Sequence, residues 1–244
     1  MRKILLAITL CILPFLSKAQ GSKEIDSTAI YILDKMSDII GDLESVNYNV
    51  TISEDKLNAY NLIETHFRTS SVSMVGPDKL TARTINEKGG HGIWFDGELF
   101  SYYSFAENNY VTLETPGNII SMIDNMHQRF DFKFPAADFF YPSFTDDILE
   151  EFDRVKYIGK KVVEEEECFH IIAENKNINV QLWISNKTLL LPKQLVIIYK
   201  NENNMQYKNT FTNWDLNPNI PEAVFNFLPP NNAKLISILE KNNN

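Results

Sequence analysis

Apolar and polar positions change period several times along the chain, and each change marks an element. Residues 27–43 carry Ile30, Leu33, Met36, Ile39, Ile40 and Leu43 every three or four positions, which predicts an amphipathic helix capped by Asp26 or Ser27 and ending near Gly41. From Val46 to Ile52 the period drops to two, and the chain enters a sheet. Residues 63–75 and 79–85 read as further strands, separated by turn chemistry at Gly76-Pro77-Asp78. The stretch 89–116 reads as three antiparallel strands. Helical spacing returns at Ile119, Ile120, Ile123, Met126 and Phe130, and a helical reading continues through 132–140. A shorter helix is predicted at 145–152, with Thr145 as its cap and Asp146 and Asp147 at its positive end. Strands follow at 154–158, 162–163, 168–173, 179–184, 193–200 and 205–216, with an apolar segment at 221–230. In all, nine to eleven strands in up-and-down succession and three helices are expected.

The rest of the chain is organised around the meander at 89–116. Asp96-Gly97 signals a two-residue type I′ turn, which pairs Phe95 with Glu98, Trp94 with Leu99 and Ile93 with Phe100. A second hairpin at 106–109 pairs Phe105 with Tyr110 and Tyr102 with Leu113. Alternation then places Ile93, Phe95, Phe100, Tyr102, Val111 and Leu113 on one face, and Trp94, Leu99, Tyr103, Phe105 and Tyr110 on the other. Neither face is polar, so each needs an apolar cover. Burying the six side chains of the first face is worth at most about 10 kcal/mol, as much as the net stability of a typical domain. The cover is either the chain's own helices or, in part, a bound lipophilic molecule. The Phe-, Met- and Ile-rich helical insertion is the natural candidate, with Ile123, Met126 and Phe130 opposite the sheet.

The amino terminus has the parts of a secretory signal: Arg2 and Lys3, an apolar run from Ile4 to Leu16, then Ser17 and Ala19 before Gln20. The run has 13 residues and contains Pro14, which is short for a membrane anchor. The expectation is a leader at 1–19, a single domain at 20–244, a periplasmic location and no integral membrane segment in the mature chain. Removing Arg2, Lys3 and Lys18 with no acid takes the formal charge from −9 to −12. Such acidity argues against nucleic acid and anionic membrane surfaces as partners. Only Cys168 remains after the cut, which excludes an internal disulfide.

Candidate chemistry is sparse. His66, His91, His127 and His170 are scattered without metal-ligand spacing, and no phosphate loop or nucleophile elbow occurs. His91 lies in a Gly-rich stretch that reads as a loop. Cys168 and His170 share a strand face, and a buried thiol beside a structural imidazole is the expected reading. The run Glu164–Glu167 reads as a solvated turn. No catalytic residue, metal or cofactor is expected.

Several strings carry a family resemblance: Trp94-Phe95-Asp96-Gly97-Glu98, Asn109-Tyr110-Val111, Phe134-Pro135-Ala136-Ala137-Asp138, Tyr157-Ile158-Gly159, Cys168-Phe169-His170, Gln181-Leu182-Trp183-Ile184, Leu191-Pro192 and Phe225 to Pro230. Over nearly all of the mature chain these resemble the predicted periplasmic proteins of the domain-of-unknown-function 2092 family. Where that family usually has Gly before the Cys-x-His string, this chain has its Glu run. The resemblance implies a mainly β (α+β) fold similar to the lipoprotein carriers LolA and LolB and the sigma-regulator RseB, with one curved antiparallel sheet as an incomplete β-barrel plugged by about three helices. It further implies a non-enzymatic carrier or sensor of a lipophilic ligand, a lipid or a lipoprotein acyl chain. The expected hydrophobic groove is Ile93, Phe95, Phe100, Tyr102, Val111 and Leu113 with Ile123, Met126 and Phe130. The alternative is a periplasmic protein-interaction or regulatory module with a self-filled barrel, whose acidic rim meets a protein partner.

Overall fold

The period changes translate into one sheet with helices on its inner side. The computed structural model describes residues 23–134 and 137–241. The leader expected at residues 1–19, the cut before Gln20, and Pro135 and Ala136 lie outside them. β1 (Glu24–Ile25) leads into α1 (Ser27–Gly41), followed by β2 (Ser45–Leu57), β3 (Ile63–Val75), β4 (Lys79–Asn86), β5 (His91–Phe95), β6 (Leu99–Ser104) and β7 (Asn109–Glu114). Next come α2 (Ile119–Phe130), a 3-10 turn (Ala137–Phe140) and α3 (Phe144–Glu151). β8 (Arg154–Val163), β9 (Glu166–Glu174), β10 (Ile178–Ser185), β11 (Pro192–Tyr199) and β12 (Met205–Leu216) follow, then a 3-10 turn (Glu222–Phe225) and β13 (Lys234–Leu235).

All thirteen strands form one curved, unclosed sheet in the order β1-β8-β9-β10-β11-β12-β2-β3-β4-β5-β6-β7-β13. Two meanders, β2 to β7 and β8 to β12, meet where β12 pairs antiparallel with β2. The two end strands pair parallel, β1 with β8 and β13 with β7. The core lies on the inner face, where Val46, Val50, Ile52, Phe95, Ile171, Leu182 and Phe211 join Leu33 and Met36 of α1 and Met122 and Met126 of α2. Among the described residues no helix is long and apolar enough to cross a membrane.

Several expectations change, beginning with the count: thirteen strands stand where nine to eleven were expected, and 154–158 and 162–163 are one strand, β8. The meander register differs by two: Phe95 pairs with Phe100, Ile93 with Tyr102, Tyr103 with Tyr110 and Tyr102 with Val111. Only Gly97 takes positive φ in the first loop. The Asp96 carboxylate accepts from Glu98 N and Leu99 N at 3.0 and 2.8 Å, closing four residues rather than two. A slip of two keeps every side chain on its own face, so both face assignments stand. No α-helix runs through the described residues of 132–140. Asp131 takes the left-handed conformation (φ 58°) and ends α2, and Ala137–Phe140 makes a 3-10 turn.

Ser143, not Thr145, precedes α3, without a capping bond; Thr145 lies inside the helix, buried, with its Oγ1 3.4 Å from Ser37 Oγ. His91 belongs to strand β5. Gly90 (φ 91°) fixes that entry, since a Cβ there would sit 2.0 Å from the Thr84 carbonyl oxygen. The acidic turn expected over Glu164–Glu167 is confined to Glu164 and Glu165, which both take positive φ, and β9 begins at Glu166.

Candidate functional site

The seam between the meander and α2 is built from two periodicities meeting. β5, β6 and β7 present every second residue, and α2 presents Ile119, Met122, Ile123 and Met126 on its buried side. Asn118 caps the helix, its side chain accepting from Ser121 N at 2.8 Å. At the other end the Asp131 N–H bonds back to His127 O and the Phe132 N–H to Met126 O, which turns the chain toward the sheet. Phe132 thereby reaches Phe100 (5.4 Å between ring centroids) and Tyr102 (5.7 Å), both edge to face. Phe134 stands 5.1 Å from Phe132 and 6.1 Å from Phe100.

Of the nine groove residues expected from the sequence, eight belong to the core cluster or pack against it, in two grades of burial, and Val111 is buried outside it. Ile93, Phe95, Phe100, Val111, Ile123 and Met126 are buried, with Phe95 and Met126 at 0% exposure. A side chain with no exposure lines no opening that a water could enter, so the floor of the seam is filled. Tyr102, Leu113 and Phe130 are half-buried, as are Phe132 and Phe134 above them. Sequence reasoning placed Phe132 and Phe134 inside a helix. The signal against that was present: Phe130, Phe132 and Phe134 recur every second residue, which is not a helical period.

Around the rim, His91 stacks on Tyr102 at 5.1 Å, and burial, with the nearby charge of Arg68, pushes its pKa below the usual imidazole range. The chain's final described residues cross the end of α2. Lys241 N donates to Arg129 O (2.7 Å), Lys241 Nζ to Asp131 (2.9 Å), and Arg129 pairs with Glu240 (2.5 Å). The opposite face of the meander is covered by the apolar segment expected at 221–230. Phe227 lies 4.9 Å from Trp94 and 5.4 Å from Tyr110, and Trp94 folds over Gly92, where a Cβ would leave it only 2.3 Å.

Two surface openings lie away from the seam and are polar. One of about 360 Å³ is lined by Asp78, Lys79, Asp96, Gly97, Glu98, Glu222 and Asn226. The other, about 490 Å³, lies between α1 and α3, with Asp34, Lys35, Asp38 and Asp146 among its walls. Among the described residues no three His, Cys, Asp or Glu side chains cluster as metal ligands. Cys168 is fully buried, and burial pushes its thiol up to about 11. His170 stacks on Trp183 at 4.4 Å, and its Nε2 lies 3.2 Å from Gln181 Oε1.

The sequence of residues 29–239 matches the family described as "Predicted periplasmic protein (DUF2092)". An uncharacterised protein of Methanocaldococcus jannaschii is 26% identical over 145 residues, 58% of this chain and 36% of that protein, so the chain spans about a third of this relative's length. Among solved structures, an uncharacterised conserved protein from Thermus thermophilus superposes with a TM-score of 0.52 at 11% identity, covering 86% of this chain and 98% of that one. A LolA superfamily protein from Nitrosomonas europaea gives 0.40 at 11% identity, covering 82% and 97%.

Proposed function

The chain belongs to the DUF2092 family of predicted periplasmic proteins, and we propose from that premise that it is a non-enzymatic binding protein whose seam exchanges its own aromatic plug for a lipophilic chain. The leader is removed before Gln20, and residues 20–244 act as one domain in the periplasm. One observation carries the reading. A fully buried apolar floor, Phe95, Phe100 and Met126, is closed by Phe132 and Phe134, two half-buried rings from an irregular segment rather than by a helix or strand.

Magnitudes favour exchange. Lifting two Phe rings costs roughly 3–6 kcal/mol at full burial, and these two are only half-buried. At ~0.8 kcal/mol per methylene, about four to eight buried CH₂ groups offset that cost, fewer than an ordinary acyl chain carries. The non-enzymatic part rests on the chemistry of the two candidates: a thiol held protonated and an imidazole stacked on Trp183 suit packing rather than attack.

A second reading has its own support. Zero exposure at Phe95 and Met126 also fits a self-filled interaction module with a protein partner. Native mass spectrometry of the mature chain, recovered gently from the periplasm and compared before and after organic extraction, separates the two. A lipid mass lost on extraction supports exchange. A clean apo mass that does not change when fatty acids or phospholipids are added overturns it in favour of the module. Phe100→Glu with Tyr102→Glu locates the site: retained lipid on a folded double variant removes this seam from the reading.

A further inference from the structure

The hairpin of β2 and β3 reaches further than the strands on either side of it. Its ladder runs from Ser45 with Val75 to Leu57 with Ile63 without a register shift. The β12 ladder on β2 ends where Tyr207 meets Glu54, and the β4 ladder on β3 ends where Asn86 meets Arg68. Beyond Asn86 the chain turns away, with Gly89 N bonding back to Asn86 O at 3.1 Å. Among the described residues, Ile63 to Phe67 therefore has a strand on one side only, over about 17 Å at 3.4 Å per residue.

The two faces of this projection differ. Paired residues share a face, so Arg68 and Glu54 stand on the side of the buried Ile52. That side is charged: Arg68 Nη1 donates to Glu54 Oε2 at 2.8 Å, and Lys56 Nζ lies 3.2 Å from the same carboxylate. On the outer side Leu57, Ile63 and Phe67 follow one another, and Ile85, paired with Thr69, lies diagonally beside Phe67. All four are exposed, Ile63 by 50% and Phe67 by 60%. The turn adds Tyr60 and Leu62, because the Asn58 side chain accepts from both of their N–H groups, at 2.9 and 3.1 Å, and leaves both side chains in solvent. A contiguous exposed apolar patch marks an interaction surface. An edge without Pro, Lys or a bulge is a template for another strand, and 63–67 contains none of the three.

We infer that this edge pairs with the same edge of a second copy of the chain. The segment Ile63-Glu64-Thr65-His66-Phe67 is self-complementary when read antiparallel about Thr65. Ile63 then faces Phe67 of the second copy on the outer side, and Glu64 faces His66 of the second copy on the inner side. A β-branched residue opposite an aromatic one, and an acid opposite a base, are pairs that stabilise an antiparallel ladder. Each occurs twice, as two-fold symmetry requires. The His66 imidazole is open to an acid, since the Glu87 carboxylate stands 3.5 Å from its Nδ1 with both side chains in contact with solvent. A lipid surface would use the apolar residues and leave the order Glu64-Thr65-His66 without a role; that order is what singles out a second copy. The pairing lies outside the seam and is independent of the exchange reading.

Sedimentation equilibrium of the mature chain over a range of concentrations should show monomer and dimer in exchange. Ile63→Lys with Phe67→Lys should weaken the dimer about tenfold or more, with Tm nearly unchanged because both side chains are already exposed. Thr65→Cys tests the register separately. Paired Cα atoms of an antiparallel ladder lie about 4.5–5.5 Å apart, within the span of a disulfide. Cys168 is fully buried, so mild oxidation should link two copies through residue 65. Ser71→Cys, on the same strand and face but at a level where Arg83 of β4 pairs with it, should stay unlinked. A wild-type chain that is monomeric at every concentration overturns the proposal, and flotation of that monomer with phosphatidylcholine vesicles would assign the patch to a lipid surface instead. A dimer that the double lysine variant leaves equally tight, or equal linking through residues 65 and 71, also overturns it.

Discussion

Helix α1 and helix α2 cover the same side of one sheet, and they are fastened to it differently. α1 is held by backbone pairing: β1 runs parallel to β8 just before it, Asp26 N donates to Val155 O at 2.9 Å, and Asp26 caps the first turn. Its buried face, Ala29, Ile32, Leu33, Met36 and Ile40, is no more than 4% exposed. α2 has a good cap and a buried face too, but its cover is completed by Phe132 and Phe134 outside any element and by a surface strap of charged side chains. Local opening follows such differences: the element with fewest buried contacts and most exposed fastenings opens first. On the proposed reading, the sheet has one fixed cover and one exchangeable cover.

The largest effect should come from the fixed side. Leu33→Ala removes a side chain with 0% exposure and should cost about 2–5 kcal/mol, lowering Tm by roughly 5–15 °C in calorimetry. Phe132→Ala, despite deleting a larger side chain, should cost only about 1–2 kcal/mol because its ring is half-buried. It should also increase uptake of a lipophilic dye. Cys168 reports whether that opening is local. Its thiol is fully buried and pushed up to about 11, so it should stay unreactive to a thiol reagent in native Phe132→Ala. If Phe132→Ala costs as much as Leu33→Ala, or exposes Cys168, the two covers are one cooperative unit and the contrast is gone.

The two caps give an intermediate effect with opposite pH behaviour. Asp26→Ala and Asn118→Ala should each cost about 1 kcal/mol at neutral pH. Hydrogen bonds from the backbone, led by Thr28 N–H, hold the Asp26 carboxyl below its ordinary value against the opposing effect of burial. A depressed carboxyl contributes stability that is present above its unfolded value, near pH 4, and is lost as pH falls through the folded one. Thermal melts at pH 7 and about pH 3 should therefore show the Asp26→Ala penalty shrinking in acid, while the Asn118→Ala penalty persists because an amide does not titrate.

What the sequence made legible divides along the same line. Element types and sheet faces were readable because they follow from period, and the faces survived a register error of two in both hairpins, as a slip of two must. The turn itself was misread because the Asp96 side chain, not the backbone preference of Asp-Gly, closes it. The two parallel end pairings were invisible, since two-residue strands carry no period. Of the nine groove residues read from alternation and helical spacing, eight belong to the core cluster or pack against it, and Val111 does not. The plug was missed because an apolar run next to a helix was read as more helix, although Asp131 in the left-handed region ends it. The pair Glu54 and Arg68, 14 residues apart, depends on strand pairing across the sheet, which local patterning does not encode.

The smallest effect on stability should come from the strap, and it sharpens the contrast most. Lys241 Nζ reaches Asp131 Oδ1 at 2.9 Å and His127 O at 3.3 Å, so it holds the last turn of α2 at the point where the chain turns into the plug. A cation suits that place, because helix carbonyls lack partners there. Yet both side chains are largely in water, and exposed pairs of this kind contribute little. Lys241→Met should accordingly leave Tm within about one degree of the wild type. If α2 is the exchangeable cover, its fastening sets how often the plug lifts, and dye uptake should become faster while the dye capacity stays the same. High salt should mimic the substitution in the wild type by screening an exposed pair and should add nothing in Lys241→Met. An uptake rate indifferent to both would mean that the tail only rests on α2, and the exchange would then be governed by Phe132 and Phe134 alone.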